Sequence, residues 1–227
     1  MKHINISTAS VASVAIAKPI EQNSVYSRFG KRLVDLALVI VAAPIIVPVI
    51  AILWLLVRRD GGEGMFVQDR VGMNGKVFKC LKLRTMVVDA EKVLEDLCAK
   101  DPKVAHEWHV NQKLAVDPRI TKVGAFLRAT SLDELPQFFN VVRGEMSFVG
   151  PRPFMPSQQD LYDEAGGNAY YSVRPGITGP WQVDGRGVTT FKGRVAFDEK
   201  YGRELSLKSD IGYLIKTVSV VLNRTGH

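Results

Sequence analysis

Two adjacent carboxylates, Asp133 and Glu134, stand just ahead of an apolar run with helical spacing: Leu135, Phe138, Phe139, Val141 and Val142. Pro136 is comfortable only in a helix's first turn, where its missing N–H has no partner to lose. The pair is therefore expected at or just before a helix N-terminus, where backbone N–H groups and the positive dipole end favour phosphate. The run closes at Gly144, and a Gly-Pro-Arg-Pro turn from Gly150 to Pro153 holds Arg152 between two prolines. A carboxylate pair, an anion-friendly helix end and a stiffly mounted guanidinium are components of phosphoryl transfer. Ser131 and Glu134 also fit the S-x-x-E capping box, which is ordinary helix chemistry. With Ser131 as N-cap, however, Pro136 would fall at the fifth helical position and cost a backbone bond; an N-cap at Asp133 avoids this.

The elements that must carry these residues are legible in outline. Residues 1–27 are small and polar with a weakly apolar VASVAIA patch, and read as a disordered tail. From 28 to 59 lies an apolar segment in which Leu33 to Val57 is interrupted by Asp35 and punctuated by Pro44 and Pro48. Its roughly 25 residues would reach about 37 Å as a helix, more than a bilayer core of about 30 Å. Positive charge flanks both ends, with Arg28, Lys31 and Arg32 before and Arg58 and Arg59 after. The positive-inside tendency then has no preferred side unless both ends share one. A membrane span and a helix that enters, bends at the prolines and returns both remain open on these grounds.

Residues 60–227 are soluble in character. Asn74-Gly75 between two short apolar-alternating runs predicts a β-hairpin. Asp89 to Leu114 reads as helical with a break at Asp101-Pro102, and, after a turn at Asp117-Pro118-Arg119, residues 120–131 as a short helix delivering Arg128 to within five positions of Asp133. His106 and His109 are three apart, which is not zinc-helix spacing. Gln158 to Glu164 reads as a surface helix. The stretch from Arg174 to Arg186 is too rich in Gly and Pro for regular structure; Arg174, Gln182 and Arg186 interleaved with Trp181 suit phosphate or nucleotide contact. Leu205 to Leu222 forms a helix with an apolar side, suited either to the core or to a bilayer surface.

Composition narrows the class. The chain has 227 residues, enough for one real core, and a net charge of +7. Nucleic acid, anionic lipid and nucleotide sugar would all suit that charge. No zinc spacing, RNP-like motif or basic helix with heptads is present, which argues against nucleic acid. Two widely spaced cysteines, Cys80 and Cys98, imply no disulfide framework.

Three blocks in order, FKCLKLRTM from Phe78, SLDELPQFFNVVRGEMSFVGPRP from Ser131 and RPGITGPWQVDGR from Arg174, resemble the bacterial sugar transferases, the monotopic polyprenyl-phosphate glycosyl-1-phosphate transferases. The resemblance is closest to members that start exopolysaccharide repeat units with a hexose phosphate. It implies a mostly helical α+β fold: a re-entrant membrane helix over residues 28–59, a cytosolic catalytic domain over 60–227, short strands and interfacial amphipathic helices. The family's re-entrant helix usually breaks at Ser-Pro, whereas this chain has Ala43-Pro44. The resemblance also implies that Arg70, Lys82 and Arg84 help to line the site, and the family has a basic residue at the place of Arg128.

The reaction implied has two halves. Asp133 attacks the sugar-linked phosphorus of a UDP-sugar, UMP leaves, and polyprenyl phosphate then takes the phosphosugar from the aspartate. Mg²⁺ is expected, held by the substrate diphosphate and Glu134, with Arg152 and Arg128 clamping phosphate oxygens. The partners implied are UDP-sugar, polyprenyl phosphate and membrane lipid at the bacterial inner membrane, with room for a homodimer and downstream glycosyltransferases. An N-acetylated sugar phosphate is an alternative cargo, and a non-catalytic membrane scaffold is the alternative of another class.

Overall fold

The computed structural model describes residues 24–111, 114–185 and 189–222. Most of the expected tail and Arg186 lie outside the described residues. The chain starts with a π-helical turn, Tyr26–Gly30, that runs into helix α1, Lys31–Val57, and a 3₁₀ turn, Arg58–Asp60. Helical structure begins two residues before the expected boundary, and α1 stays helical through Pro44 and Pro48.

One stripe of α1 faces the rest of the molecule. Lys31, Asp35, Ile50, Leu53 and Val57 are buried, and Val39 and Val49 pack against core clusters. Between them Leu33, Ile40, Val41, Ile45, Ile52 and Leu55 are exposed. A helix apolar all round would not stably leave such a face to water. Both of its ends are fastened. Near the start, the Lys31 ammonium lies 2.7 Å from the Asp210 carboxylate, and Arg32 donates to the Val141 and Val142 carbonyls at 2.6 and 3.0 Å. Asp35 accepts from the Ser147 hydroxyl at 2.9 Å and the Phe148 amide at 3.2 Å. At the other end Leu53 and Val57 pack on Leu83 and Leu127.

Strands β1, Met65–Val71, and β2, Val77–Leu83, form the expected antiparallel hairpin. Asn74 and Gly75 both have positive φ (59° and 73°), which the turn requires. Cross-strand partners share a face, so the pairings Arg70↔Phe78 and Gln68↔Cys80 set those residues on the face that also carries Lys82. Helices α2, Ala90–Lys100, and α3, Pro102–Asn111, meet at the predicted break. Helix α4, Lys122–Thr130, is capped by the Thr121 hydroxyl, which accepts from the Gly124 amide at 2.8 Å.

After a 3₁₀ turn, Leu132–Glu134, come α5, Gln137–Arg143, and β3, Ser147–Val149; α6, Gln159–Glu164, and α7, Ala169–Ser172, lead to β4, Gly176–Thr178. Strands β3 and β4 pair in parallel. The segment from Arg174 thus holds a strand, followed by a π-helical turn at Trp181–Gly185, where sequence composition predicts irregular chain. The glycines are the reason. A Cβ on Gly176 would sit 2.1 Å from the Gly150 nitrogen, and one on Gly179 would sit 2.0 Å from the Gly150 oxygen. Their lack of side chain lets two loops press backbone to backbone. The α6 segment is also less superficial than expected, because Tyr162 is fully buried against Phe154, with ring centres 4.8 Å apart. Helices α8, Arg194–Glu204, and α9, Leu207–Leu222, complete the fold. In α9, Tyr213 and Leu214 pack on Val149 and Tyr201, while Leu207, Ile211, Ile215 and Val218 form an exposed apolar row.

Candidate active site

Asp133 and Glu134 lie in a 3₁₀ turn, Leu132–Glu134, between α4 and α5. Ser131, with φ 56°, ends α4 and makes no side-chain cap, so the capping box is not formed. The N-cap of α5 is Pro136, not Asp133. The phosphate-cradling helix end expected from the sequence is also changed. The Phe138 and Phe139 amides already donate to the Leu135 and Pro136 carbonyls, at 2.9 and 3.0 Å. Side-chain cations, rather than a row of free amides, supply the positive field.

Those cations converge from β1, β2, α4 and the Gly150–Pro153 turn. Lys82 of β2 donates to Glu134 Oε1 at 2.7 Å. Arg152 grips both Glu134 oxygens, with Nη2 to Oε1 at 2.9 Å and Nη1 to Oε2 at 3.4 Å. Arg128 of α4 donates to the Thr85 hydroxyl at 2.9 Å and acts electrostatically on Asp133. Arg70 of β1 donates to the Pro153 carbonyl at 3.1 Å and feels both Arg152 and Glu134. Four cations thus surround two carboxylates, a positive excess suited to a diphosphate. Burial lowers the pKa of Arg70, with Arg152's charge adding to the effect. Burial raises that of the Cys80 thiol, which lies beneath the site.

The carboxylates have opposite environments. Burial alone would raise Glu134, but Arg152 and Lys82, by charge and hydrogen bonds, hold it far below the usual carboxylate range. Asp133 is raised above its ordinary value, first by burial and then by the neighbouring Glu134 charge, with Lys82 and Arg128 opposing. Glu134 is therefore a locked anion, and Asp133 the more basic and less encumbered oxygen donor.

Residues outside the sequence-based set hold this arrangement. Buried Asn140 donates to the Lys79 carbonyl at 2.8 Å and accepts from the Leu81 amide at 3.0 Å, which fixes α5 against the strand carrying Lys82. Arg194 donates to the Arg152 carbonyl. Its guanidinium lies 5.0 to 5.9 Å from the ring centres of Phe154, Tyr162, Trp181 and Phe191. Neither residue belongs to a chemistry-bearing pattern, so only their three-dimensional neighbours reveal them.

Two expected site residues are placed elsewhere. Arg84 follows the last residue of β2 and turns away, donating to the Asp60 carboxylate at 2.9 Å and to the Glu63 and Val57 carbonyls at 2.6 and 3.2 Å. Arg174 donates to the Gly144 carbonyl at 2.9 Å and neighbours Arg32 and Asp35, beside the start of α1. Gln182 does join Glu134 and Arg152, in the wall of a cavity of about 290 Å³.

A sequence model of the bacterial sugar transferases matches residues 26–224. The chain belongs to that family. A UDP-galactose-lipid carrier transferase of Erwinia amylovora is 48% identical over 201 residues, covering 88% of this chain and 42% of the relative. An undecaprenyl-phosphate galactose phosphotransferase of Salmonella typhimurium is 46% identical over 201 residues with the same coverage. The exopolysaccharide production protein ExoY of Rhizobium meliloti is 44% identical over 193 residues, 85% of each chain. This family member thus spans less than half the length of the first two relatives and most of the third.

Proposed function

We propose that this chain transfers a hexose-1-phosphate, from UDP-galactose or UDP-glucose, to a membrane polyprenyl phosphate, as the first membrane step of exopolysaccharide repeat assembly. The observation that carries the reading is the division between the two carboxylates: both Glu134 oxygens face cations, while Asp133 keeps a raised pKa beside Arg128 and Lys82. An Asp133 carboxylate oxygen forms a bond to the sugar-bearing phosphorus, and the bond from that phosphorus to the bridging oxygen breaks. Its electron pair leaves on UMP. A phosphate oxygen of the lipid next bonds to the same phosphorus, the aspartyl bond breaks, and the Asp133 carboxylate returns. Arg152, Arg128 and Lys82 offset the charge that gathers on phosphate oxygens as each bond changes.

The donor set suits Mg²⁺. Glu134 Oε2 has only the 3.4 Å contact with Arg152, and Asp133 stands beside it. Among the described residues no third acidic, His or Cys group completes a cage. Substrate phosphates would do so, as is usual for Mg²⁺ sites. When bound, the ion supplies neutralisation of diphosphate charge.

The exposed apolar faces of α1 and α9 support a membrane location. Because both ends of α1 are fastened to one domain, we read it as re-entrant, with the catalytic domain on the cytosolic side. The reaction is tested by weighing the detergent-solubilised protein after incubation with Mg²⁺ and UDP-hexose but no lipid. An added hexose phosphate, absent in Asp133→Asn, is the expected result. UMP release only when lipid acceptor is present, without an adduct, would replace the covalent route by direct transfer.

A further inference from the structure

The turn that mounts Arg152 is held by its carbonyls. Pro151 and Pro153 have no N–H to donate, so acceptance is the main way to fix the chain there. Four successive carbonyls are taken by four different donors. The Gly176 amide donates to Pro151 at 2.8 Å, Arg194 to Arg152, Arg70 to Pro153 at 3.1 Å, and the Val71 amide to Phe154 at 2.9 Å. The carbonyl of Arg152 itself thus depends on one side chain of α8. Arg194 is 4% exposed, so its charge must find acceptors within the protein. One turn further along α8, Asp198 is fully buried. Its Oδ2 lies 3.7 Å from Arg194 Nε, too far for a hydrogen bond, and Nε and Oδ1 are both buried without a partner. A buried ion pair that left two polar atoms unmet would not repay its desolvation. The guanidinium is turned to the Arg152 carbonyl instead, which fits an Asp198 that carries a proton.

We infer that Arg194 and Asp198 are positioning residues for Arg152: protonated Asp198 leaves the guanidinium to the Arg152 carbonyl, and ionised Asp198 draws it away and lets the turn shift. The inference rests on the proposed transfer, in which Arg152 clamps phosphate. Closing the 3.7 Å gap to a charge-assisted bond moves the guanidinium by about 1 Å. A misplacement of about that size in an active site can cost 10²-fold in rate. The other charged and titratable groups around Asp198 are already engaged. Tyr162 of α6 donates to Asp198 Oδ2 at 3.0 Å, and Tyr170 of α7 donates to the Val71 carbonyl. Tyr171 donates to Asp163 at 2.6 Å, and Glu199 of α8 accepts from the Asn168 and Ala169 amides at 2.7 Å each. In the Trp181–Gly185 turn, Asp184 faces Lys216 of α9 at 2.8 Å. Burial pushes the Asp198 carboxyl up to about 7, so its charge is the one that changes near neutrality.

Three readouts on the full chain in detergent test this. In the first, first-turnover release of UMP from saturating UDP-hexose, with Mg²⁺ and lipid acceptor present, is followed against pH. The wild-type rate should fall about tenfold between about pH 6 and 8, as one controlling proton near 7 requires. Asp198→Asn keeps the shape of the protonated acid, and over that span it should stay within about twofold of its own rate at about pH 6. An equal fall in the variant, or no fall in the wild type, overturns the assignment. The second is a double-mutant cycle at about pH 6. Arg194→Lys keeps the charge but loses the planar fork. It should slow release about tenfold in the wild type and less than about twofold in an Arg152→Lys background. Equal losses in both backgrounds would show that Arg194 does not act through Arg152. The third needs no turnover, because the Trp181 ring centre lies 5.8 Å from the Arg194 guanidinium. In a Trp54→Phe, Trp108→Phe background, Trp181 fluorescence should titrate with a midpoint near 7 and lose that transition in Asp198→Asn. A Trp181 signal indifferent to Asp198 overturns the coupling. A wild type that releases no UMP from any UDP-hexose would instead remove the proposed function, and the Trp181 titration would still decide whether Asp198 governs Arg194.

Discussion

At the scale of residues, the proposed catalysis depends on keeping two neighbouring carboxylates unlike. Glu134 is ionised by its cations, and its charge helps to raise Asp133. Since a carboxylic acid loses nucleophilicity when protonated, adduct formation should fall as pH drops through an Asp133 pKa lying above the ordinary 3.8. Glu134→Gln removes the neighbouring charge and frees Lys82 and Arg152 to act on Asp133. Both changes lower its pKa, so the acid limb of the adduct-formation profile should move to lower pH. A limb moving to higher pH would mean that the Glu134 charge is not what raises Asp133. Arg152→Lys keeps the charge but cannot span both Glu134 oxygens and a phosphate in one plane. Turnover should drop by about 10²-fold or more, as for loss of an oriented donor in an active site. Equal turnover would reduce Arg152 to a turn residue.

At the scale of elements, the hairpin and the α2–α3 break were readable because each has a local cause, Asn-Gly and Asp-Pro, while the Thr121 cap that starts the helix delivering Arg128 emerges from the structure. Pairing Lys82 with Glu134 needed knowledge of which strand face meets α5, and that is decided by buried Asn140, which has no sequence signature. Arg84, which the resemblance placed among the residues lining the site, falls beyond the ladder, where Asp60 and α1 claim it. Arg84→Ala should therefore cost stability, by about 1–3 kcal/mol for lost charge-assisted bonds. Denaturant titration should show a larger deficit than turnover per folded molecule; the reverse would return Arg84 to the catalytic set. Around Arg194 the clearest consequence is in pH. Asp198 accepts from the Tyr162 hydroxyl at 3.0 Å and lies 3.7 Å from Arg194, yet burial pushes it from 3.8 up to about 7. A raised folded-state value favours the protonated carboxyl. Its stabilising effect is complete below 3.8 and is lost as pH rises through about 7. Asp198→Asn should flatten the fall in melting temperature between about pH 4 and 7, and an unaltered slope would show that Asp198 is not its source.

At the scale of the whole molecule, the proposed function asks how a chain with a 27-residue apolar helix would keep the Asp133–Glu134 turn at a lipid headgroup. A helix that long reaches about 40 Å, enough to cross a bilayer. Length and composition alone therefore left spanning and re-entrant forms open. The fastenings are the geometric support for the re-entrant form proposed above. Lys31, Arg32 and Asp35 are tied to Asp210, α5 and β3, while Leu53 and Val57 pack on Leu83 and Leu127. An intact domain cannot hold both ends of a helix and lie on opposite sides of a membrane. Charge agrees, because cations flank both ends and cost least on one cytosolic side. Val25, 79% exposed, and Glu63, exposed beyond the other end, can each be replaced by cysteine in a background free of Cys80 and Cys98. A membrane-impermeant maleimide should label both positions in inside-out vesicles and neither in right-side-out ones. Ile45→Cys, at a site 70% exposed in the isolated chain, should resist the reagent in both until detergent is added. Labelling of Val25→Cys and Glu63→Cys from opposite sides would require the clamps at one end of α1 to open in the membrane. The catalytic turn would then lose its fixed height above the lipid.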